Sequence, residues 1–425
     1  MKVLLINTSE RIGGAAIAAH RLMEALKRDS VRATMLVRDR QTQMMSVTSL
    51  RPTWLLPVKF LWERFVIFLN NGFSMQRLWA VDIANAGTDI THLPQFQHTD
   101  VVHLHWVNQA YLSLGNIDRI LRSGKPIVVT MHDMWYFTGI CHYAAGCNRY
   151  HSQCTKCPQL GRNVIGFDLA KRVFNKKRRM FANANITFVG CSRWMADMAA
   201  QSALTKGHTV VNIPNAIDTG LFKPGNRDEA RRILQLPLDK QLLLFGAQRI
   251  TDHRKGFRYL AEACALISQE HPEAAKRLAI VVVGADSDQV KDALPFDVYP
   301  VNYISDEEEI VKLYNAVDAY VTPSLQDNLP NTIVEALACG IPCIGFEVGG
   351  IPEMIDHQQN GYVARYRNAS DFAYGILWTL DESRHATLSQ QAREKAVQTY
   401  SEPAVARQYE AVYSQALGKK AKSRK

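Results

Sequence analysis

Two carboxylates eight positions apart, Asp327 and Glu335, stand in the segment Ser324-Leu-Gln-Asp-Asn-Leu-Pro-Asn-Thr-Ile-Val-Glu-Ala-Leu-Ala-Cys-Gly340. A strand-like run, Asp318-Ala-Tyr-Val-Thr-Pro323, precedes them, and a helix-like run from Asn331 to Cys339 carries the second acid. The spacing predicts one carboxylate in a strand-to-helix loop and the other about two turns along the helix, on nearly the same face. A strand's carboxyl end and the following helix start form the usual ligand crevice of an open α/β sheet. Two acceptors there suit a ligand rich in hydroxyls, such as a sugar nucleotide. The plainer alternative is a turn-forming Asp327 and an ordinary exposed helical Glu335.

Cations occur in a comparable position. Arg249 and Lys255 lie in Gly246-Ala-Gln-Arg-Ile-Thr-Asp-His-Arg-Lys-Gly256, after the first strand of the second half. A departing phosphoryl group needs fixed positive charge as negative charge develops. A solvated basic loop is the competing reading. Gly13 and Gly14 separate the first strand from the first helix, where backbone can approach an anion at a helix N-terminus. Their spacing is not a dinucleotide fingerprint, and a tight turn explains them as well. In Thr130-Met-His-Asp133, His132 and Asp133 fall just past a strand and are expected to face the same crevice from the other domain. The histidine could contact a sugar hydroxyl or stabilise developing charge, or could form a structural His–Asp bond. His103 and His105 alternate with Val102 and Leu104 and share one face, either lining a cleft or structural.

Cys141, Cys147, Cys154 and Cys157 place four sulfurs within 17 residues, ending in Cys-x-x-Cys. Such a group can surround one tetrahedral zinc, although a standard ribbon would pair two Cys-x-x-Cys knuckles. Structural zinc and free thiols are both open. A redox pair at Cys154 and Cys157 lacks a thioredoxin-like context. A catalytic zinc would need an open position that four thiolates do not leave. Cys191, Cys264, Cys339 and Cys343 read as small core residues.

These groups need a scaffold. Apolar runs Val3–Ile6, Thr34–Val37, Val101–His105, Ile127–Thr130 and Ile186–Val189 alternate with helix-like segments such as Ala15–Arg28. The second half repeats the plan with Leu242–Phe245, Ile280–Val283, Ala319–Thr322 and Cys343–Phe346. That alternation predicts α/β parallel sheets with helical crossovers. The Pro-, Asn- and Gly-rich stretch from Ile213 to Gly225 reads as a linker. The expected domains are 1–212 with the cysteine cluster at 141–157, then 213–400. A helix over 401–418 would pack back on the first domain, followed by a disordered basic tail, 419–425.

The chain has 425 residues, 47% of them hydrophobic and 21% charged, enough for two folded domains. A formal net charge of +10 favours an anionic partner: nucleotide phosphates, an acidic membrane surface or nucleic acid. No recognisable nucleic-acid module accompanies the charge, so no nucleic-acid partner is expected. The N-terminus lacks a signal-like h-region, and Pro57, Lys59, Glu63 and Arg64 interrupt the most membrane-like stretch, Trp54 to Phe73. A cytoplasmic protein is the expectation, with its cysteines reduced or metal-bound. Trp54 to Trp79 interleaves aromatics with Lys59, Arg64 and Arg77, and a basic run follows at Lys171–Arg179. Both suit peripheral contact with an anionic bilayer, and equally a core-packed helix pair with solvated edges.

With these residues in view, the chain resembles the retaining glycosyltransferases of family 4. The look-alikes include bacterial exopolysaccharide and surface-glycan transferases of the colanic-acid type. The resemblance rests on Gly13-Gly14, Thr130 to Trp135, Cys141 to Leu160, Pro214-Asn-Ala-Ile-Asp218, Arg249 with Lys255-Gly256, Asp306 to Ser324, and Asp327 to Gly361. It implies the GT-B fold, two Rossmann-like parallel-sheet domains facing across a deep cleft. It further implies transfer, with retention, from a UDP- or GDP-sugar to a hydroxyl of a glycan or lipid-linked glycan, in surface polysaccharide biosynthesis. Glu335 matches the second acid of the family's E-x7-E motif, which bonds the ribose. Asp327 stands where the first Glu is usual, one methylene shorter, with the amides of Asn328 and Leu329 beside it. Arg249 and Lys255 match the diphosphate pair, His132 the histidine on the donor sugar, and Gly13-Gly14 the loop near diphosphate and acceptor. No catalytic metal is implied. A sugar-nucleotide epimerase of the same fold and a non-catalytic sugar-nucleotide-binding subunit are the rival readings.

Overall fold

A computed structural model describes residues 1–50, 54–161 and 166–423. The chain forms two compact units: Met1–Pro214 with Val405–Lys425, and Asn215–Ala404. In the first, β1 (Lys2–Ser9), β2 (Arg32–Asp39), β3 (Val47–Ser49), β4 (Val101–Leu104), β5 (Ile127–Met131), β6 (Ile186–Gly190) and β7 (Thr209–Asn212) form one sheet, ordered β3-β2-β1-β4-β5-β6-β7. In the second, β8 (Gln241–Arg249), β9 (Leu278–Ala285), β10 (Asp297–Val301), β11 (Ala319–Thr322), β12 (Cys343–Phe346) and β13 (Gly361–Ala364) are ordered β10-β9-β8-β11-β12-β13. Every paired neighbour runs parallel.

The expected apolar runs all form strands, because a parallel sheet covered by helices on both faces selects continuous Val, Ile and Leu. β4, β5, β6, β11 and β12 are buried along their whole length. The four strands without an expected counterpart, β3, β7, β10 and β13, are the outer edges of the two sheets.

Each sheet reverses its winding once, between β1 and β4 in the first unit and between β8 and β11 in the second. Diverging crossovers open a crevice at the carboxyl ends there. The loop carrying Gly13 and Gly14 follows β1, and His105 follows β4. Lys255 lies beyond β8, and Asp327 beyond β11.

The last helix, Glu402–Ser423, buries Val405, Ala406, Tyr409, Val412, Tyr413 and Ala416 at helical spacing. Tyr413 OH lies 2.8 Å from His103 Nδ1 and Tyr409 OH 2.9 Å from Thr130 Oγ1, so it is stitched into the first unit. The helix runs on through Ser423 instead of ending in a disordered basic tail, since Lys-Lys-Ala-Lys favours helix. Residues 424–425 of that expected tail lie outside the described residues. No helix among the described residues is long and apolar enough to cross a membrane.

Candidate active site

In the second unit, three loops at the carboxyl ends of β8, β11 and β12 are pressed together. Gly256 has φ +70°, and a Cβ there would lie 1.8 Å from the carbonyl oxygen of Pro323. Only glycine lets the β8 loop reach β11 so closely. Leu325 N–H donates to Arg254 O at 2.7 Å across the same junction. Gly349, φ +59°, brings the β12 loop equally near Asp327, with a Cβ position 1.8 Å from its carbonyl oxygen.

This packing sets the side chains. Lys255 Nζ donates to Asp327 Oδ2 at 2.7 Å, with both groups partly exposed. Asp327 Oδ1 accepts the Asn328 N–H at 3.1 Å. The expected assistance from the Asn328 amide is therefore directed to Asp327 itself. Asn328 and Leu329 are buried. Arg249 ends β8 beyond a bulge and is exposed to solvent.

Glu335 is the fifth residue of helix Asn331–Ala338, just over one turn from its start, not two. Its carboxylate is buried, and Oε2 accepts the Tyr314 hydroxyl at 2.9 Å. The plain reading of Glu335 as an exposed helical residue thus fails. Burial first, then Cys343, Asp327 and Glu335 act on the phenol of Tyr320, which is held well above its ordinary range. Tyr314 and Tyr320, whose hydroxyl donates to Thr332 Oγ1 at 2.8 Å, carried no sequence signal. Their contacts join separate elements.

In the first unit, Gly13 adopts φ 94° just before helix Gly14–Arg28, and open space surrounds its Cβ position. His132 lies beyond β5, its Nε2 3.0 Å from His105 Nδ1 and its Nδ1 3.5 Å from Cys191 Sγ. Burial lowers its pKa to about 4, so the ring is neutral near pH 7. A neutral imidazole can exchange hydrogen bonds with a hydroxyl but brings no standing positive charge. His103 is wholly buried between Tyr413 and Thr130, 2.8 and 2.7 Å away, and its role is structural.

The partner of Asp133 is not His132. Asp133 Oδ2 accepts from His142 Nδ1 at 2.7 Å and from Trp106 Nε1 at 2.9 Å, and Oδ1 accepts the Trp135 N–H at 2.8 Å. Burial opposes its charge, but His142 and these donors hold the carboxyl below its usual range. Burial likewise opposes charge on His142, and Asp133 overcomes it, raising that pKa. Beneath this lies a second buried network, in which Arg64 bridges to Asp82 at 2.9 Å. Glu63 accepts the N–H groups of Ala84 and Ala110 at 2.6 and 3.1 Å.

Cys141, Cys147, Cys154 and Cys157 do converge, lining one small cavity with Thr138 and Tyr150. The zinc expectation gains no support from their placement. Among the described residues no group of three or more His, Cys, Asp or Glu is placed to hold a metal ion. The neighbouring Cys157 thiol, together with burial, pushes the Cys141 pKa well up and keeps that thiol protonated. Cys154 accepts the Gly139 N–H at 3.2 Å, and burial raises its pKa to about 11. The proximity of Cys141 lowers the Cys157 pKa to about 7. All eight cysteines are free thiols.

The comparisons with known proteins agree with this architecture. A model described as "Glycosyltransferase Family 4" matches residues 12–221, and one described as "Glycosyl transferases group 1" matches residues 239–382. The chain belongs to the family 4 glycosyltransferases, and the protein is a glycosyltransferase of the GT-B fold. It is 26% identical over 336 residues to the D-inositol 3-phosphate glycosyltransferase of Corynebacterium aurimucosum, covering 75% of this chain and 72% of that one. Sucrose-phosphate synthase from Thermosynechococcus elongatus superposes with a TM-score of 0.67 at 19% identity, covering 98% of this chain and 99% of that one. Anabaena Alr3699/HepE, solved in complex with UDP and glucose, gives 0.64 at 17% identity, with 98% and 100% covered.

Proposed function

We propose that the protein transfers a sugar, with retention at the anomeric carbon, from a nucleotide-diphosphate sugar to a hydroxyl of a glycan acceptor. One observation carries this reading: Lys255 and Asp327, from loops flanking the reversal of the second sheet, meet at 2.7 Å, with Arg249 at the end of the same β8 strand. Anabaena Alr3699/HepE, of the same fold, was solved with UDP-glucose, and a UDP- or GDP-sugar is the donor class we infer here.

In this reading Lys255 and Arg249 neutralise the diphosphate as charge builds on it. Asp327 holds Lys255 in place before the donor arrives and meets the sugar hydroxyls. Glu335, fixed by Tyr314, accepts from the ribose. Gly13, followed by Gly14, leaves space for backbone approach to diphosphate and acceptor, and neutral His132 exchanges a hydrogen bond with the donor sugar. Attack on the front face, with the leaving phosphate taking the acceptor's proton, completes the transfer without a catalytic metal.

The proposed setting is surface polysaccharide biosynthesis on the cytoplasmic side of a membrane, with a glycan or lipid-linked glycan as acceptor. A thermal-shift screen of UDP- and GDP-sugars tests the donor class. A true donor raises the unfolding temperature in proportion to the logarithm of its concentration over Kd. If none of these donors shifts the transition, this function is wrong.

A further inference from the structure

Helix Leu55–Asn70 is amphipathic in the reverse of the usual sense. Its buried positions are Leu56, Glu63, Arg64, Ile67 and Asn70, of which three are polar or charged. Its outward row is apolar: Leu55, Val58, Leu61, Trp62 and Phe65 are 36, 60, 65, 55 and 49% exposed. Spacings of three and four place these on one face. The charged groups of the helix are all tied to the protein. Lys59 Nζ donates to Gly87 O and Thr88 Oγ1 at 2.9 and 3.0 Å, while Glu63 and Arg64 belong to the buried network.

The turn beyond the helix extends the patch with Phe73, Met75 and Trp79, which are 54, 70 and 60% exposed. The patch is held firmly. Trp79 stacks on Phe60 at 5.7 Å, and the Arg64 guanidinium lies 5.4 Å from the Trp79 ring while donating to Leu78 O. Contiguous apolar surface of this kind marks an interaction site.

We propose that this outward face, from Trp54 to Trp79, docks the protein on the surface of a bilayer carrying anionic lipid. Three features select a bilayer. Tryptophan at the rim of an apolar face suits the headgroup boundary, where an amphipathic helix lies in the plane of the membrane. Cations adjoin the patch: Arg77 is exposed within the turn and anchors to Pro158 O at 3.1 Å, and Gly161 N–H donates to Asn71. The helix that follows Gly161 in the sequence, Leu169–Phe181, exposes Lys171, Arg172, Lys176, Arg178 and Arg179. A two-fold pairing of copies would set these like charges in opposition, whereas anionic headgroups complement them. This docking stands apart from the transferase reading and needs no turnover to be observed.

The test sediments the full chain with large vesicles of phosphatidylglycerol and phosphatidylcholine, and with phosphatidylcholine alone. The wild-type protein binds the anionic vesicles, and binding weakens as salt rises. The combined variant Leu61→Gln, Trp62→Gln, Phe65→Gln lowers the partition coefficient roughly tenfold or more while keeping its unfolding temperature. Quenching of wild-type tryptophan fluorescence by brominated lipid reports insertion without any variant. Absence of wild-type binding, or equal binding by a folded variant, overturns the proposal. A concentration-dependent dimer, abolished by the variant and unaccompanied by vesicle binding, overturns it in favour of a second copy.

Discussion

Lys255 and Asp327 are 72 residues apart in sequence, yet their side chains meet at 2.7 Å. The contact joins the β8 and β11 loops where the second sheet reverses its winding. Asp327 is one methylene shorter than the glutamate that the resemblance leads one to expect there. The shorter side chain sits close against the lysine and positions it. We expect Asp327→Asn to lower kcat roughly tenfold by releasing the ammonium group from its charged partner. Because both groups are partly exposed, stability should fall by no more than about 1 kcal/mol. Steady-state kinetics and urea unfolding on the same variant separate the two effects.

Glu335 is buried against Tyr314. Glu335→Gln keeps an oxygen for the Tyr314 hydroxyl but loses the charge offered to a ribose. Donor affinity should weaken about tenfold, the usual worth of a charge-assisted hydrogen bond, with little change in unfolding. Glu335→Ala should also destabilise by about 1 kcal/mol, because the Tyr314 hydroxyl loses its shorter acceptor and keeps only Thr332 O at 3.2 Å. Isothermal titration with donor, alongside thermal unfolding, checks both.

Gly349 supports the site from behind. Its φ of +59° and the 1.8 Å approach of a Cβ position to Asp327 O leave no room for a side chain. Gly349→Ala should displace the Asp327 loop, cost roughly 1–3 kcal/mol of stability and depress turnover more than Asp327→Asn does. Wild-type stability in this variant would show that the loop gives way freely.

The His142–Asp133 pair gives the first unit a pH signature. His142 has its pKa raised above the ordinary 6.5 by Asp133, so its stabilising contribution is full below that value. The contribution is lost as pH rises through the raised folded-state value. The depressed pKa of Asp133 acts oppositely: its share is present above the ordinary 3.8 and lost as pH falls through the lowered value. Urea midpoints from pH 6 to 9 should decline for the wild-type protein. His142→Gln should flatten that decline and cost about 1–3 kcal/mol at pH 6. An unchanged slope would separate the pair from stability.

How much the sequence revealed follows from where each residue sits. Interior strands such as β5 and β9 are apolar along their length and were legible as runs. The edges were not: β3 has only three residues, and β10 contains Pro300, so neither shows a long apolar run. The cysteine spacing drew together four sulfurs but could not fix their orientation, and among the described residues they form no metal cage. His132 was legible as a strand-end residue, but its neutrality comes from burial, and Asp133 turns to His142 rather than to it. The aromatics of Trp54 to Trp79 fitted a core as well as a surface. Only the fold shows Glu63 and Arg64 turned inward and Trp62 and Phe65 turned out.

The most direct test of the site is calorimetric titration of UDP and GDP into the wild-type protein and into Arg249→Ala and Lys255→Ala. One diphosphate should bind, and each substitution should weaken it by roughly tenfold to a hundredfold, about 1.5–3 kcal/mol per charged contact. The corresponding nucleoside, lacking phosphates, should bind all three proteins alike. Equal diphosphate affinity in all three would contradict the assignment of Arg249 and Lys255 to the leaving group.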